Sequence, residues 1–206
     1  NGTDDQKVLG HWVGSFGPNM INITITHLEG ELARGYSVCA GNFRKLTGNF
    51  KREEGIFHFF LKEPGTDPYD GYFEFDINTT QLTLKGKWTP FVEKGNSPKK
   101  YELQQQLFQY DNSVGDFPQA SQKLLQPHEV ELFSPEELRI VRNQIYARHG
   151  YSFKNKDMRY TFEKQEWYMP MGIDVRFELT DIEIANIALI YEYETYYEEY
   201  GDTYGR

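Results

Sequence analysis

The chain has 206 residues and a formal net charge of -9, a length that suits one large domain or two small ones. An acidic chain whose basic runs, such as Lys99-Lys100, never exceed two residues is a poor partner for nucleic acid, because phosphate contacts supply most of that affinity. No stretch approaches the 18 or so consecutive apolar residues of a membrane-spanning helix, and the single Cys39 leaves no intrachain disulfide framework.

The chain opens on the polar run Asn1 to Lys7 with no initiator Met, which reads as a mature start after a removed export signal. From Val8 to Leu107 the hydrophobic period is two. Ile21, Ile23 and Ile25 alternate with Asn22, Thr24 and Thr26. Phe57, Phe59 and Leu61 share one face, as do Phe73, Phe75 and Ile77, then Leu82 and Leu84, then Tyr101, Leu103 and Leu107. Successive side chains of a strand point to opposite faces, so this is half-buried antiparallel sheet. Turn signals such as Gly17-Pro18-Asn19, Glu29-Gly30, Gly41-Asn42 and Glu54-Gly55 divide it into about eight strands: 11–16, 20–28, 32–39, 42–51, 55–62, 71–77, 80–88 and 99–108. Barrel and sandwich share this alternation, and both remain open. The opening Leu9-Gly10-His11-Trp12-Val13-Gly14 resembles the start of lipocalin-like barrels, which implies a Trp12 plugging a closed end, and Gly86-Lys87-Trp88 repeats the pattern.

Near Asp111 to Asp116 the alternation stops and Phe117-Pro118 follows, which places a boundary between an antiparallel β domain over 1–110 and a helical domain over 111–206. Gln119 to Phe133 reads as a lead-in strand or short helix. Ser134, Pro135 and Glu137 then form a capping box with Pro at the first helical position. Leu138, Val141, Ile145 and His149 share a face that Ile140 widens, and Gly150 supplies the left-handed cap. Asn155 or Lys156 starts a second helix carrying Met158, Phe162 and Trp167, with Pro170 as its stop. Thr180-Asp-Ile-Glu183 opens a third, with Ile184, Ile187, Ala188 and Tyr191 on one face. The fold class is therefore α+β in two domains.

Residues 146–150 spell Tyr-Ala-Arg-His-Gly. With the capped helix before them, Tyr151 to Phe153 after them and Trp167-Tyr168 beyond, they resemble the bacterial YARHG domain over about residues 118–200. The resemblance implies an extracytoplasmic protein and carries no catalytic residues across. Two readings of the motif stand side by side. In one, Tyr146, Ala147 and Gly150 pack the helix end while Arg142, Asn143 and Arg148 cross-link helices through backbone carbonyls or carboxylates such as Glu183 or Glu192. In the other, Arg142, Arg148, His149, Trp167 and Tyr168 line a shallow pocket for an anionic or sugar-bearing ligand.

Catalysis finds little support. Cys39 has no nucleophile signature around it and reads as a small buried hydrophobe. His11, His27, His58, His128 and His149 show no i,i+4 pair and no Cys partner, so no metal or other cofactor is expected. In the tail Tyr191 to Tyr204, tyrosine alternates with acid. It reads as the third helix running to Tyr200 with Tyr191 and Tyr193 on the core, or as an exposed anchor for a partner.

The expectation is a non-catalytic, exported protein of the bacterial cell envelope, periplasmic or surface-exposed and a candidate lipoprotein. It binds a small apolar or glycan ligand inside the barrel among Phe57, Phe59, Phe73, Phe75 and Leu84. Alternatively it is an adaptor that meets peptidoglycan or another envelope protein through its helical domain.

Overall fold

The computed structural model describes residues 2–204, with side chains described through Glu198. Two compact units are present. The first holds residues 1–108 together with 169–173, and the second holds 109–168 and 174–206.

Eight strands make the first unit: β1 (Gly10–Phe16), β2 (Asn19–Glu29), β3 (Leu32–Cys39), β4 (Asn42–Glu53), β5 (Ile56–Lys62), β6 (Gly71–Asn78), β7 (Thr83–Pro90) and β8 (Lys99–Gln106). Each is antiparallel to the next, and β1 pairs with β8 in the register Trp12↔Gln105, so the sheet closes into a barrel. Closure removes the unpaired edges that an open sheet exposes. The alternation read from the sequence holds on the inner face, where Ile21, Ile23, Ile25, Leu61, Ile77, Leu84 and Leu103 are buried. Phe57, Phe59, Phe73, Phe75 and Leu84 join one continuous core. Phe59 stacks on Phe75 at 5.0 Å and on Phe50 at 5.6 Å, so rings fill the middle of the barrel. Two expected strand residues fall outside. Leu82 sits in the β6–β7 turn at φ 53, and Leu107 lies beyond the end of β8 and is exposed. In both cases the ladder ends before the hydrophobic pattern does.

A helix not foreseen in the sequence, α1 (Gly2–Val8), closes one end of the barrel. Val8 is buried in the barrel core, and the fully buried Trp12 donates its Nε1–H to the Val8 carbonyl at 2.9 Å. Gln105 Nε2 donates to the carbonyl oxygens of Lys7 at 2.8 Å and Leu9 at 3.1 Å. Asp5 pairs with Arg52 in a two-point contact, and the Arg52 guanidinium lies 4.8 Å from the centre of the Phe50 ring. Within the same unit, Asn22 is fully buried and donates its Nδ2–H to the Pro170 carbonyl at 2.8 Å.

The second unit contains α2 (Gln119–Gln122), α3 (Pro127–Val130), α4 (Pro135–Arg148), α5 (Lys156–Glu163) and α6 (Asp181–Tyr204), with a 3-10 turn at Arg176–Glu178. The stretch expected as a strand or short helix is thus two short helices. The capping box at Ser134 and Glu137 is formed, and Leu138, Val141, Ile145 and His149 are all buried. α5 starts from the Asn155 cap but ends at Glu163, well short of Pro170, and leaves Trp167 outside the helix. Lys164, Gln165 and Glu166 offer nothing to bury, so no packing holds a further turn.

The buried face of α6 also differs from the expected one. Of the expected residues Ile187 packs against the core, while Ile184, Ala188 and Tyr191 are exposed. Glu183, Asn186 and Ile190 are buried, with Tyr193 and Tyr197 packed against the same core. That face is offset by about one residue because two polar side chains sit on it, each fully hydrogen-bonded inside the unit.

Candidate functional site

The end of the barrel opposite α1 is built differently. Four connections meet there: two tight turns at 17–18 and 40–41, and two eight-residue loops at 63–70 and 91–98. Asn96 ties the long loops together by donating Nδ2–H to the Pro68 carbonyl at 2.9 Å. Between them lies a cavity of about 450 Å³. Its aromatic floor is Phe16, Phe73 and Trp88, and its polar lining includes Asn19, Ser37, Asn42, Arg44, Glu63, Asn96 and Lys99. That size falls within the range of small-molecule sites, and a few polar groups converging over an apolar floor is their usual composition.

The strands place these groups. On β7 the inward Trp88 donates its Nε1–H to Glu63 Oε1 at 2.7 Å, and the same oxygen accepts the Gly71 amide at 3.0 Å. Burial pushes the Glu63 carboxyl up, against the lowering pull of these two hydrogen bonds. Lys99, first residue of β8, holds its ammonium 5.0 Å from the centre of the Phe16 ring and 5.5 Å from that of Trp88. Arg44 Nη1 lies 3.3 Å from Asp70 Oδ1, an ion pair whose acid side chain is only 3% exposed. Asn19 Oδ1 is a buried acceptor with no hydrogen-bond donor in the protein. Cys39 is half-buried against the barrel core and also lines the mouth. Sequence reading assigned none of the polar mouth residues to a site, placing Lys99 in a short basic run and Asn19 and Asn42 in turns, since the polar lining comes from four strands and two loops and forms no local motif.

The residues that sequence reading did single out lie in the helical unit, and most of their polar atoms are engaged there. Arg148 is 2% exposed. Its Nε–H donates to the Val114 carbonyl at 2.9 Å, Nη1–H to Ser121 Oγ at 2.7 Å, and Nη2–H to the Phe117 carbonyl at 2.9 Å and Gln144 Oε1 at 2.7 Å. His149 is buried, stacks on Tyr110 at 4.4 Å and sets Nε2 at 2.7 Å from Glu183 Oε1. Arg142 forks onto Glu194 at 2.5 and 3.1 Å. Tyr168 is buried and donates its hydroxyl to the Tyr151 carbonyl at 2.7 Å. Trp167 is half-buried, edge-on to Phe162 and to Tyr168. Arg148 and His149 thus share one hydrogen-bonded network, while Arg142 belongs to a separate pair and the two aromatics to the Phe153–Phe162 cluster.

Glu183 is the centre of that network. It is fully buried, caps α6 by accepting the Thr180 amide at 3.0 Å, and receives Ser121 Oγ at 2.7 Å and the Tyr110 hydroxyl at 3.1 Å. Burial alone raises a carboxyl's pKa, but the hydrogen bonds from His149, the Thr180 amide and Ser121 outweigh it and hold Glu183 below the usual carboxylate range. Burial together with the Glu183 charge pushes Tyr110 up to about 12. Burial also lowers Arg148, against the raising effect of Glu183.

A second concavity, about 640 Å³, lies on the outer wall of the barrel across β4 to β8. Its rims are solvated chains such as Lys51, Asp76, Lys85 and Lys87, and His58 on its edge is bracketed by Asp76 at 2.5 Å and Glu53 at 3.1 Å. No polar atom there is both buried and unpartnered, in contrast to the mouth. Among the described residues, no three His, Cys, Asp or Glu side chains are grouped to hold a metal ion. No helix among them is long and apolar enough to cross a membrane.

Residues 113–195 match the family model of the YARHG domain, so the helical half of the chain carries that domain. No curated protein and no solved structure matches the chain.

Proposed function

We propose that this chain is a non-catalytic binding protein of the bacterial cell envelope, whose ligand site is the mouth of the barrel. Its two modules are the barrel unit and the helical unit. Export and lipid anchoring belong to the same proposal, which rests on the extracytoplasmic setting expected of a YARHG domain. The observation that carries it is the 450 Å³ cavity, whose lining sets Arg44, Lys99 and Glu63 over an aromatic floor, with Asn19 beside them holding a buried acceptor that no protein donor satisfies. Such an acceptor costs about 1–3 kcal/mol unless a ligand or water supplies the donor. The interior among Phe57, Phe59, Phe73 and Phe75 is packed, so the ligand is small and polar and sits at the rim. Arg148 and His149 act as the frame of the helical module. Arg142, Trp167 and Tyr168 brace its neighbouring surfaces.

Native mass spectrometry of gently purified protein tests this reading, with Asn42→Trp as the comparison because that side chain is exposed and lines the mouth. An adduct carried by the natural chain and lost from Asn42→Trp supports the mouth as the site. An adduct that Asn42→Trp retains overturns it. A bare mass favours the second reading, an adaptor whose helical module docks on peptidoglycan or another envelope protein. That reading draws on Leu132 and Phe177, which are 83% and 93% exposed on the helical unit.

A further inference from the structure

The mouth's chemistry narrows the ligand class. Two cations and one carboxylate line the cavity: Arg44 and Lys99 against Glu63. Among the described residues Lys99 has no carboxylate within ion-pair distance, and its ammonium is held over Phe16 and Trp88. A cation over ring faces is fixed in place yet keeps its hydrogen-bond donors for another partner. Arg44 meets Asp70 through one nitrogen at ion-pair distance, and a guanidinium carries five donors. The mouth therefore has unused hydrogen-bond donors on two cations, although Asp70 and Glu63 balance their charge.

It also has spare acceptors. Asn19 Oδ1 is buried without a donor. Asn96 uses its Nδ2–H on the Pro68 carbonyl, which orients its own carbonyl oxygen away from that bond. Glu63 is clamped through Oε1 by Trp88 and Gly71, so its second oxygen has a fixed position. Acceptors of this kind want hydroxyl hydrogens. An apolar ligand satisfies neither set, and an inorganic anion satisfies only the cations.

We propose that the mouth binds a small polyhydroxylated carboxylic acid of the sugar-acid class, with its carboxylate on Lys99 and Arg44 and its hydroxyls on Asn19, Asn96 and Glu63. This inference rests on the mouth being the ligand site. A single pyranose ring with one carboxylate fits within about 450 Å³ and leaves room for bridging water.

The test is a titration of the full-length protein with four probes: glucuronate, glucose, cyclohexanecarboxylate and glutamate. The readout is the Trp88 indole N–H and the Asn19 and Asn42 side-chain amides in proton–nitrogen NMR spectra. Glucuronate is expected to move these signals at a concentration about tenfold below that needed for glucose or cyclohexanecarboxylate, because each lacks one half of the match. Lys99→Met keeps the stem over the two rings and removes the charge; it should weaken glucuronate about tenfold and leave glucose unchanged. The double variant Arg44→Gln, Asp70→Asn removes the second cation without stranding a buried acid, and thermal unfolding reports whether it is folded.

Equal responses to glucuronate and glucose, or a preference for glutamate, overturn the sugar-acid inference while leaving the mouth as the site. Silence of the mouth signals to all four probes overturns the inference as well. In that case the Asn42→Trp adduct comparison decides separately whether the mouth reading falls with it.

Discussion

Glu183 carries the tightest chemistry in the molecule: a carboxylate with no exposure, answered by donors from Thr180, His149, Ser121 and Tyr110. Its folded pKa is depressed below the unfolded value of about 4.3, so its contribution to stability is complete above that value and is lost as pH falls through the folded pKa. Glu183→Gln should cost about 1–3 kcal/mol at neutral pH and flatten the acid limb of urea-midpoint against pH; an unchanged limb would mean the carboxylate is idle. His58 runs the opposite way. Hydrogen bonding to Asp76 raises its pKa against the lowering effect of burial, and Glu53 adds to the rise. The stability this pair gives is therefore present below about 6.5, the unfolded value, and lost as pH rises through the folded pKa. His58 is exposed, so solvent screens the energy, and the measurable quantity is the ring titration itself. By NMR, His58 should titrate above an ordinary histidine and return toward it in Asp76→Asn. The pentapeptide at 146–150 was plain in the sequence, and so was the Thr180–Glu183 box. Their meeting was not, because His149 and Glu183 are 34 residues apart and nothing local encodes the contact.

At the scale of elements, the strands were legible because a barrel wall repeats its chemistry every second residue. Closure was not, because the β1–β8 register His11↔Gln106 and Trp12↔Gln105 uses backbone groups and glutamines that any strand could supply. The face of α6 was misplaced because hydrophobicity is a guide only where buried positions are apolar, and Glu183 and Asn186 are buried through their partners. Two elements make sharp predictions. On β7, a methyl group at Gly86 would collide with the Glu74 carbonyl oxygen and the Phe75 Cβ, so the barrel needs bare backbone there. Gly86→Ala should destabilise the barrel by about 1–3 kcal/mol in urea unfolding, whereas Lys87→Ala beside it, on the outer face, should stay within about 0.5 kcal/mol. On α4, Ser134 Oγ accepts the Glu137 amide at 3.2 Å and Glu137 Oε1 accepts the Ser134 amide at 3.1 Å. Ser134→Ala should cost about 1 kcal/mol by the same measurement, and no loss would show the cap to be redundant with the packing of Leu138 and Val141.

For the whole molecule, the informative fact is that the chain builds two separate cores, one from Val8 to Leu103 inside the barrel and one from Ala120 to Ile190 among the helices. Each core has its own reporters, since Trp12 and Trp88 lie in the first unit and Trp167 in the second. A chain with two cores need not unfold in one step. The substitutions argued above then become probes of that partition. With fluorotryptophan in place of the three tryptophans, fluorine NMR in rising urea follows each unit by its own signal. Gly86→Ala should bring the Trp12 and Trp88 signals to their unfolded positions at lower urea while the Trp167 signal holds its midpoint. Glu183→Gln should do the reverse. If instead all three signals shift together in both variants, the units share one cooperative transition, and stability lost in the helical module would pass directly to the barrel.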